Sequence, residues 1–217
     1  DRLVEWSKRS DFDTKYLEQD FGRQGGWDPI RVPLGEDRYL RLIGQIDRID
    51  EYTRDDQTYG MVIDYKSGGA HVTAQDVYYG LKLQLMTYLL ALESAYGKTH
   101  GGSMSPAAVV YSYVKNPKIP ADAPMSYEDA VSLANESDAW QNSGYFSDDI
   151  ELLTHIDNKF LSYGSKRGPY VPIATKKDQT ISSNDLRKVK NPGEFDVMCR
   201  YTNHVMAETG RNIGDGQ

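Results

Sequence analysis

Two apolar, β-branched runs joined by a short polar stretch, then a long Leu-rich segment, constrain this chain's fold more than any other sequence feature. The first run, Tyr39 to Asp50, carries Leu40, Leu42, Ile43, Ile46 and Ile49. The second, Tyr59 to Ser67, carries Met61, Val62 and Ile63 and stops at Gly68-Gly69. Both read as strands, and the polar residues Glu51 to Gln57, with Asp55-Asp56 at the tip, predict an antiparallel hairpin between them. Ala74 to Tyr96 is apolar around most of its circumference and contains no Pro, so it predicts one buried helix, with Gly80 near its start. Pro106 then introduces Ala107 to Val114, a further strand that ends at Asn116-Pro117. A strand pair, a long helix and another strand imply an α/β core with the helix crossing a sheet face.

The flanks are less regular. Asp1 to Gly22 predicts a helix, a break near Ser10-Asp11 and a short element ending at Gly22, followed by a loop through Gly25-Gly26-Trp27-Asp28-Pro29. Ile30 to Pro33 reads as a strand. Beyond residue 117, Tyr127 to Ala134, Ile150 to Asp157 and Glu194 to Thr209 are expected helices, the last through Phe195, Met198, Cys199, Val205 and Met206. The reading is one domain over 1–217, with a catalytic core in 1–120 and a partly irregular extension in 121–217. The opening residues have neither an initiator Met nor a signal-peptide core, as expected of an excised piece of something longer.

No apolar run approaches the roughly 20 residues needed to span a bilayer. The lone Cys199 cannot form an internal disulfide and cannot by itself hold zinc or an iron–sulfur cluster, which fits a reducing, cytoplasmic home.

The chemistry concentrates at Val62-Ile63-Asp64-Tyr65-Lys66. Side chains alternate along a strand, so Asp64 and Lys66 share a face, about 6.6 Å apart along the backbone, while Tyr65 points the other way. A carboxylate and an ammonium at the end of an apolar strand are costly to bury without a purpose. The preceding strand supplies Asp47 and Asp50, whose opposite parity lets only one share that face; the residues alone leave the choice open. Two converging carboxylates plus the Tyr65 carbonyl would make an oxygen site suited to Mg²⁺ or Mn²⁺. Asp-Tyr-Lys by itself is equally compatible with an ordinary surface ion pair. On the long helix, Gln84 and Tyr88 are four apart and stack on one face, either aimed at such a site or forming a self-satisfied buried pair.

Taken together, Gly44-x-Ile46-Asp47, Ile63-Asp64-Tyr65-Lys66-Ser67 and Gln84-x-x-x-Tyr88 resemble the RecB-type branch of the PD-(D/E)XK nucleases. The wording Ile46-Asp47-Arg48-Ile49-Asp50 and Val77-Tyr78-Tyr79-Gly80-Leu81-Lys82-Leu83-Gln84-Leu85-Met86-Thr87-Tyr88-Leu89 is similar to the C-terminal nuclease domain of AddB/RexB-type subunits of bacterial helicase–nucleases. The resemblance is specific over residues 10 to 120 and looser beyond. It implies a restriction-endonuclease-like core with a central mixed sheet flanked by helices. It implies Asp47 and Asp64 as metal ligands, Lys66 as the catalytic lysine, Gln84 and Tyr88 as active-site helix residues, and Glu18 at a family position on an upstream helix, where a solvated Glu fits as well. It implies an exonuclease acting on DNA unwound by an A-type helicase–nuclease partner, in double-strand-break repair and recombination. A stand-alone RecB-like nuclease and a weakly catalytic DNA-holding module are the competing expectations.

Two departures accompany the resemblance. Its metal-binding His upstream is matched by none of His71, His100, His155 or His204, and Cys199 does not match a four-Cys iron–sulfur pattern. The net charge of −7 also works against phosphate binding, which draws on Lys and Arg. Basic residues at Lys166-Arg167, Lys176-Lys177 and Arg187-Lys188-x-Lys190 could track a backbone or form ordinary solvated loops. Tyr78-Tyr79 has the chemistry to stack on bases, although tyrosines opening a buried helix are expected in the core.

Overall fold

The computed structural model describes residues 2–67, 73–114, 124–130 and 141–216. It contains α1 (Arg2–Ser7), β1 (Asp13–Phe21), β2 (Ile30–Gly35), β3 (Arg38–Leu42), β4 (Gly44–Arg54) and β5 (Gln57–Lys66). These are followed by α2 (Ala74–Tyr78), α3 (Gln84–His100), β6 (Ser105–Tyr113), β7 (Ser143–Ser147), α4 (Ile150–Ile156), β8 (Val189–Lys190) and α5 (Pro192–Gly214). Six strands form one mixed sheet in the order β1-β4-β5-β6-β7-β8.

The expected hairpin is present. β4 and β5 pair antiparallel, and the two-residue turn Asp55-Asp56 has both residues at positive φ, 50° and 63°, as a type I′ turn requires. β6 then returns parallel to β5, with α3 as the crossover, so the sheet is mixed as the sequence predicts.

Three expectations need correction. Tyr39 to Asp50 is not one strand: the chain leaves β3 at Ile43, and β2 and β3 form a separate two-stranded sheet. That hairpin packs Val32, Leu34 and Leu40 against Met206 and Ala207 of α5, a satellite cluster that no strand periodicity could separate from the main sheet. Ala74 to Tyr96 is not one helix. α2 ends in a Schellman motif, with Gly80 N–H bonded to Val77 O (3.0 Å) and Leu81 N–H to Asp76 O (2.8 Å). Gly80 takes the left-handed φ of +70° that this motif needs, and α3 restarts at Gln84. Glu18 lies on strand β1, not on a helix, and is exposed with a φ of 50°.

Ile150 to Asp157 is helical as expected, capped by the Asp149 side chain on Leu152 N–H. The last helix starts at Pro192, ahead of the expected Glu194, through an Asn191/Glu194 capping box, and runs on past Thr209 to Gly214. Residues 127–130 are helical, and the rest of the Tyr127 to Ala134 segment lies outside the described residues, as do His71 and Asn116-Pro117. β7 and β8 had no clear sequence signal.

The sheet is covered on both faces. One core joins Ile49, Val62, Val109, Tyr111 and Tyr145 to Leu85, Met86, Tyr88, Leu89 and Leu92 of α3 and to Phe195 and Cys199 of α5. The other joins Met61, Ile63, Ala108 and Val110 to Trp6 of α1, to Leu152, Leu153 and Ile156 of α4, and to Phe160, Tyr170 and Ile173. Strands buried on both sides read as nearly continuous apolar runs, which is why β5 and β6 were so legible. Among the described residues no helix is long and apolar enough to cross a membrane.

Candidate active site

The β4/β5 register decides between Asp47 and Asp50. Arg48 lies opposite Ile63, so one step further along the ladder Asp47 and Asp64 stand side by side on the α3 face. Asp50 falls opposite Met61, on the other face, fully buried. There Arg48 holds it with two bonds, Nε–Oδ1 2.7 Å and Nη2–Oδ2 2.6 Å, with the guanidinium 5.8 Å from the Trp6 ring centroid. Asp50 is therefore a structural ion partner.

Asp47 Oδ2 accepts a hydrogen bond from Tyr65 N–H at 2.7 Å, which ties the end of β4 to β5 beyond the last ladder pair. Asp64 is 2% exposed. Its Oδ2 lies 2.5 Å from Lys66 Nζ, yet it has no aligned hydrogen bond to that or any other described group. The contact is one of charge without the angle of a hydrogen bond. Burial raises the Asp64 carboxyl above the ordinary carboxylate range; Lys66 opposes this and the neighbouring Asp47 reinforces it.

Lys66 also donates to Gln84 Oε1 at 2.9 Å, and Gln84 Nε2 donates to Tyr88 Oη at 2.8 Å. This chain fixes the orientation of the Gln84 amide, because its oxygen faces an ammonium. Gln84 is the first residue of α3, placed there by the break at Gly80, and the spacing of four puts Tyr88 directly above it. Tyr88 is backed by an edge-on contact with Phe21, ring centroids 6.1 Å apart. The Phe21 ring in turn lies over Gly44, where an added Cβ would come within 2.6 Å of Cζ. Gly44 therefore permits the packing that sets Tyr88. Burial raises the Tyr88 phenol, with Gln84 pulling the other way and Asp64 and Asp47 adding to the rise.

The structure brings Asp47, Asp64, Lys66, Gln84 and Tyr88 together. The Tyr65 side chain packs on the opposite face, against the α4-side core, as its parity predicts. Tyr111 is a member that sequence reasoning did not find. It pairs with Asp64 across β5/β6, and Lys66 Nζ lies 4.9 Å from its ring centroid. Its phenol is pushed up to about 12, first by burial and then by Asp64, so it stays neutral. Only the inter-strand register could have located it. Glu18 sits across from Asp47, between the pairs Leu17–Arg48 and Gln19–Ile46.

Two adjacent carboxylates, one with a buried oxygen lacking a hydrogen bond, fit a hard divalent cation. Mg²⁺ commonly takes one or two carboxylates and completes its shell with water and phosphate. Among the described residues no group of three or more His, Cys, Asp or Glu gathers at one point. His155 is engaged elsewhere, stacked on Tyr52 (4.4 Å) and bonded to Asp11 Oδ2 (2.7 Å). Cys199 is buried and its thiol raised by burial, which suits core packing. The basic loops are partly engaged inside the fold: Arg167 and Lys188 both hold the buried Asp185, at 3.0 and 3.2 Å.

A mixed sheet with Asp64 and Lys66 at the end of β5, a carboxylate on the adjoining strand and a Gln–Tyr helix above them defines a nuclease class. Residues 2–162 match the family model of the PD-(D/E)XK nuclease superfamily, and the chain belongs to that family. Nucleases of this superfamily generally use divalent metal ions. The chain is 32% identical over 214 residues to a Listeria monocytogenes protein named as the B-type subunit of an ATP-dependent helicase/deoxyribonuclease, covering 99% of this chain and 18% of that protein. Proteins of the same name from Listeria innocua (33%) and Clostridium botulinum (30%) match with the same coverage. The chain thus spans about 18% of the length of these relatives.

Proposed function

We propose that this chain is the deoxyribonuclease domain of the B-type subunit of a bacterial helicase–nuclease, degrading unwound DNA during double-strand-break repair and recombination. The single observation that carries the proposal is the buried Asp64, whose Oδ2 faces Lys66 and lacks a hydrogen bond, beside Asp47 on a nuclease fold. The names of the relatives support the helicase context, an A-type partner subunit and a cytoplasmic setting.

In this reading Asp47, Asp64 and the Tyr65 carbonyl hold Mg²⁺ or Mn²⁺. Such an ion supplies a nucleophilic water at neutral pH and charge at the phosphoryl oxygen. Lys66, steered by Gln84 Oε1, presents its ammonium where negative charge develops on the non-bridging oxygens as water attacks in line. Gln84 holds Lys66 at that angle. Tyr88 accepts from Gln84, so its own O–H is not used by that bond and can donate to a phosphate oxygen. Asp47, braced by Tyr65 N–H, keeps its position as charge on the site changes.

The test is hydrolysis of single-stranded DNA by the full-length protein with Mg²⁺ or Mn²⁺, compared with Asp64→Ala and Lys66→Ala. Each variant is expected to lose at least about 100-fold in rate, as for removal of one group that stabilises developing charge. Wild type no faster than either variant would sink the assignment.

A further inference from the structure

Tyr78, Tyr79 and Leu81 are 62%, 69% and 73% exposed, so the tyrosines are not core residues as the sequence led us to expect. We propose that Tyr78 and Tyr79, with Tyr201 of α5, form a platform on which unpaired DNA bases stack as the strand enters the nuclease site; this rests on the function proposed above.

The geometry is that of a built surface. Tyr78 and Tyr201 lie parallel, ring centroids 5.7 Å apart and planes within 4°. Tyr201 Oη donates to Tyr78 O at 2.7 Å, which locks the pair together across two helices. Tyr79 stands edge-on to Tyr78 at 5.2 Å. The Schellman turn at Gly80 and the Thr73/Asp76 capping box hold both ends of α2, so the rings are presented on a fixed backbone. Preorganised aromatic faces lose little freedom on binding.

The platform adjoins the site. Tyr78 and Tyr79 lie on the segment between Lys66 and Gln84, which are themselves 2.9 Å apart. Five residues separate Tyr79 from Gln84, so their backbones are within about 18 Å at full extension. That is the length of about five stacked nucleotides at 3.4 Å each. On the sheet side, Val77 of α2 is buried in the same core as Tyr111, the residue under Lys66.

Charge argues for bases as the occupant. With a net charge of −7, and Arg167 and Lys188 committed to Asp185, the chain has modest means of holding a phosphate backbone by Coulomb attraction. Stacking on aromatic rings requires no positive charge and tolerates any sequence, as a nuclease without a recognition site needs.

The test is fluorescence anisotropy of the chain with a labelled oligothymidine and with an abasic strand of equal length, in chelator. Tyr79→Ala is expected to weaken oligothymidine binding by about 5- to 150-fold, the range of 1–3 kcal/mol per stacked base at 1.4 kcal/mol per tenfold. Tyr79→Phe keeps the ring and is expected to bind like wild type. The abasic strand should bind wild type and Tyr79→Ala equally. Photocrosslinking of a 5-iodouracil strand should map to Tyr78, Tyr79 or Tyr201. Tyr79→Ala binding like wild type, or losing equally on both strands, overturns the proposal. So does unchanged strand binding with weakened association to the helicase partner, which would make the patch a protein interface. If the wild type hydrolyses DNA while these outcomes fail, only the platform falls; base-dependent binding without hydrolysis removes the nuclease reading and leaves the platform.

Discussion

Replacing Lys66 by Met separates two roles of one ammonium. Without metal, Nζ is the positive charge nearest the buried Asp64 Oδ2, and Asp47 stands beside that carboxylate. Its removal leaves two adjacent carboxylates without a counter-ion. Breaking a buried ion pair costs about 3–5 kcal/mol and breaking an exposed one about 0–1. Here Asp64 is buried and Lys66 partly exposed, so the loss should be about 2–4 kcal/mol. At about 2–4 °C per kcal/mol for a chain of this size, the Tm in chelator should drop by about 4–16 °C. A divalent ion then acts oppositely on the two proteins. Wild type at a hundredfold excess over Kd gains about 2.7 kcal/mol. The Met variant should gain more at the same concentration, because no ammonium competes for Asp64. Relief of 2–4 kcal/mol corresponds to an affinity at least about tenfold higher. Scanning calorimetry in chelator and in Mg²⁺ or Mn²⁺, beside a hydrolysis assay, reads both effects: activity lost, metal-induced stabilisation enlarged. A metal-induced rise no larger than that of wild type would refute the reasoning.

Arg48→Ala leaves Asp50 fully buried and unpaired, and should destabilise the chain by about 3–5 kcal/mol in urea, with Arg48→Met/Asp50→Leu recovering most of the loss. Glu93 of α3 is pushed up to about 7 by burial, with Asp196 adding repulsion. The stability it contributes is therefore fully present below its ordinary 4.5 and lost as pH rises through about 7. Glu93→Gln should flatten the stability profile across that window in urea melts at stepped pH.

The sequence carried the site residues further than it carried the architecture around them. Asp64 and Lys66 could be placed on one face from strand parity alone, and Gln84 and Tyr88 from helical spacing. What parity could not supply was the choice between Asp47 and Asp50, because that depends on which residues of β4 and β5 lie opposite one another. Tyr111 was hidden for the same reason. The helix break was signalled by Gly80, but a Gly in a helix and a Gly in a Schellman turn look alike until the following carbonyl bonds are known. Glu18 and the β2/β3 hairpin were misread because an amphipathic strand that bulges or changes sheets loses its simple period. β8, only two residues long, is held by the neighbouring β7 and has no pattern of its own.

β4 carries structural and chemical demands on alternate residues. Asp47 faces the site, whereas Arg48 and Asp50 face the opposite core and secure the fold. In a survey of natural or engineered variants scored separately for abundance and for DNA degradation, these neighbours should part company. Changes at 48 and 50 would reduce how much protein accumulates, while changes at 47 would leave a normal amount of an inert one. A loss-of-function allele in this strand could thus be traced to instability or to chemistry by its position alone, before any enzyme is purified.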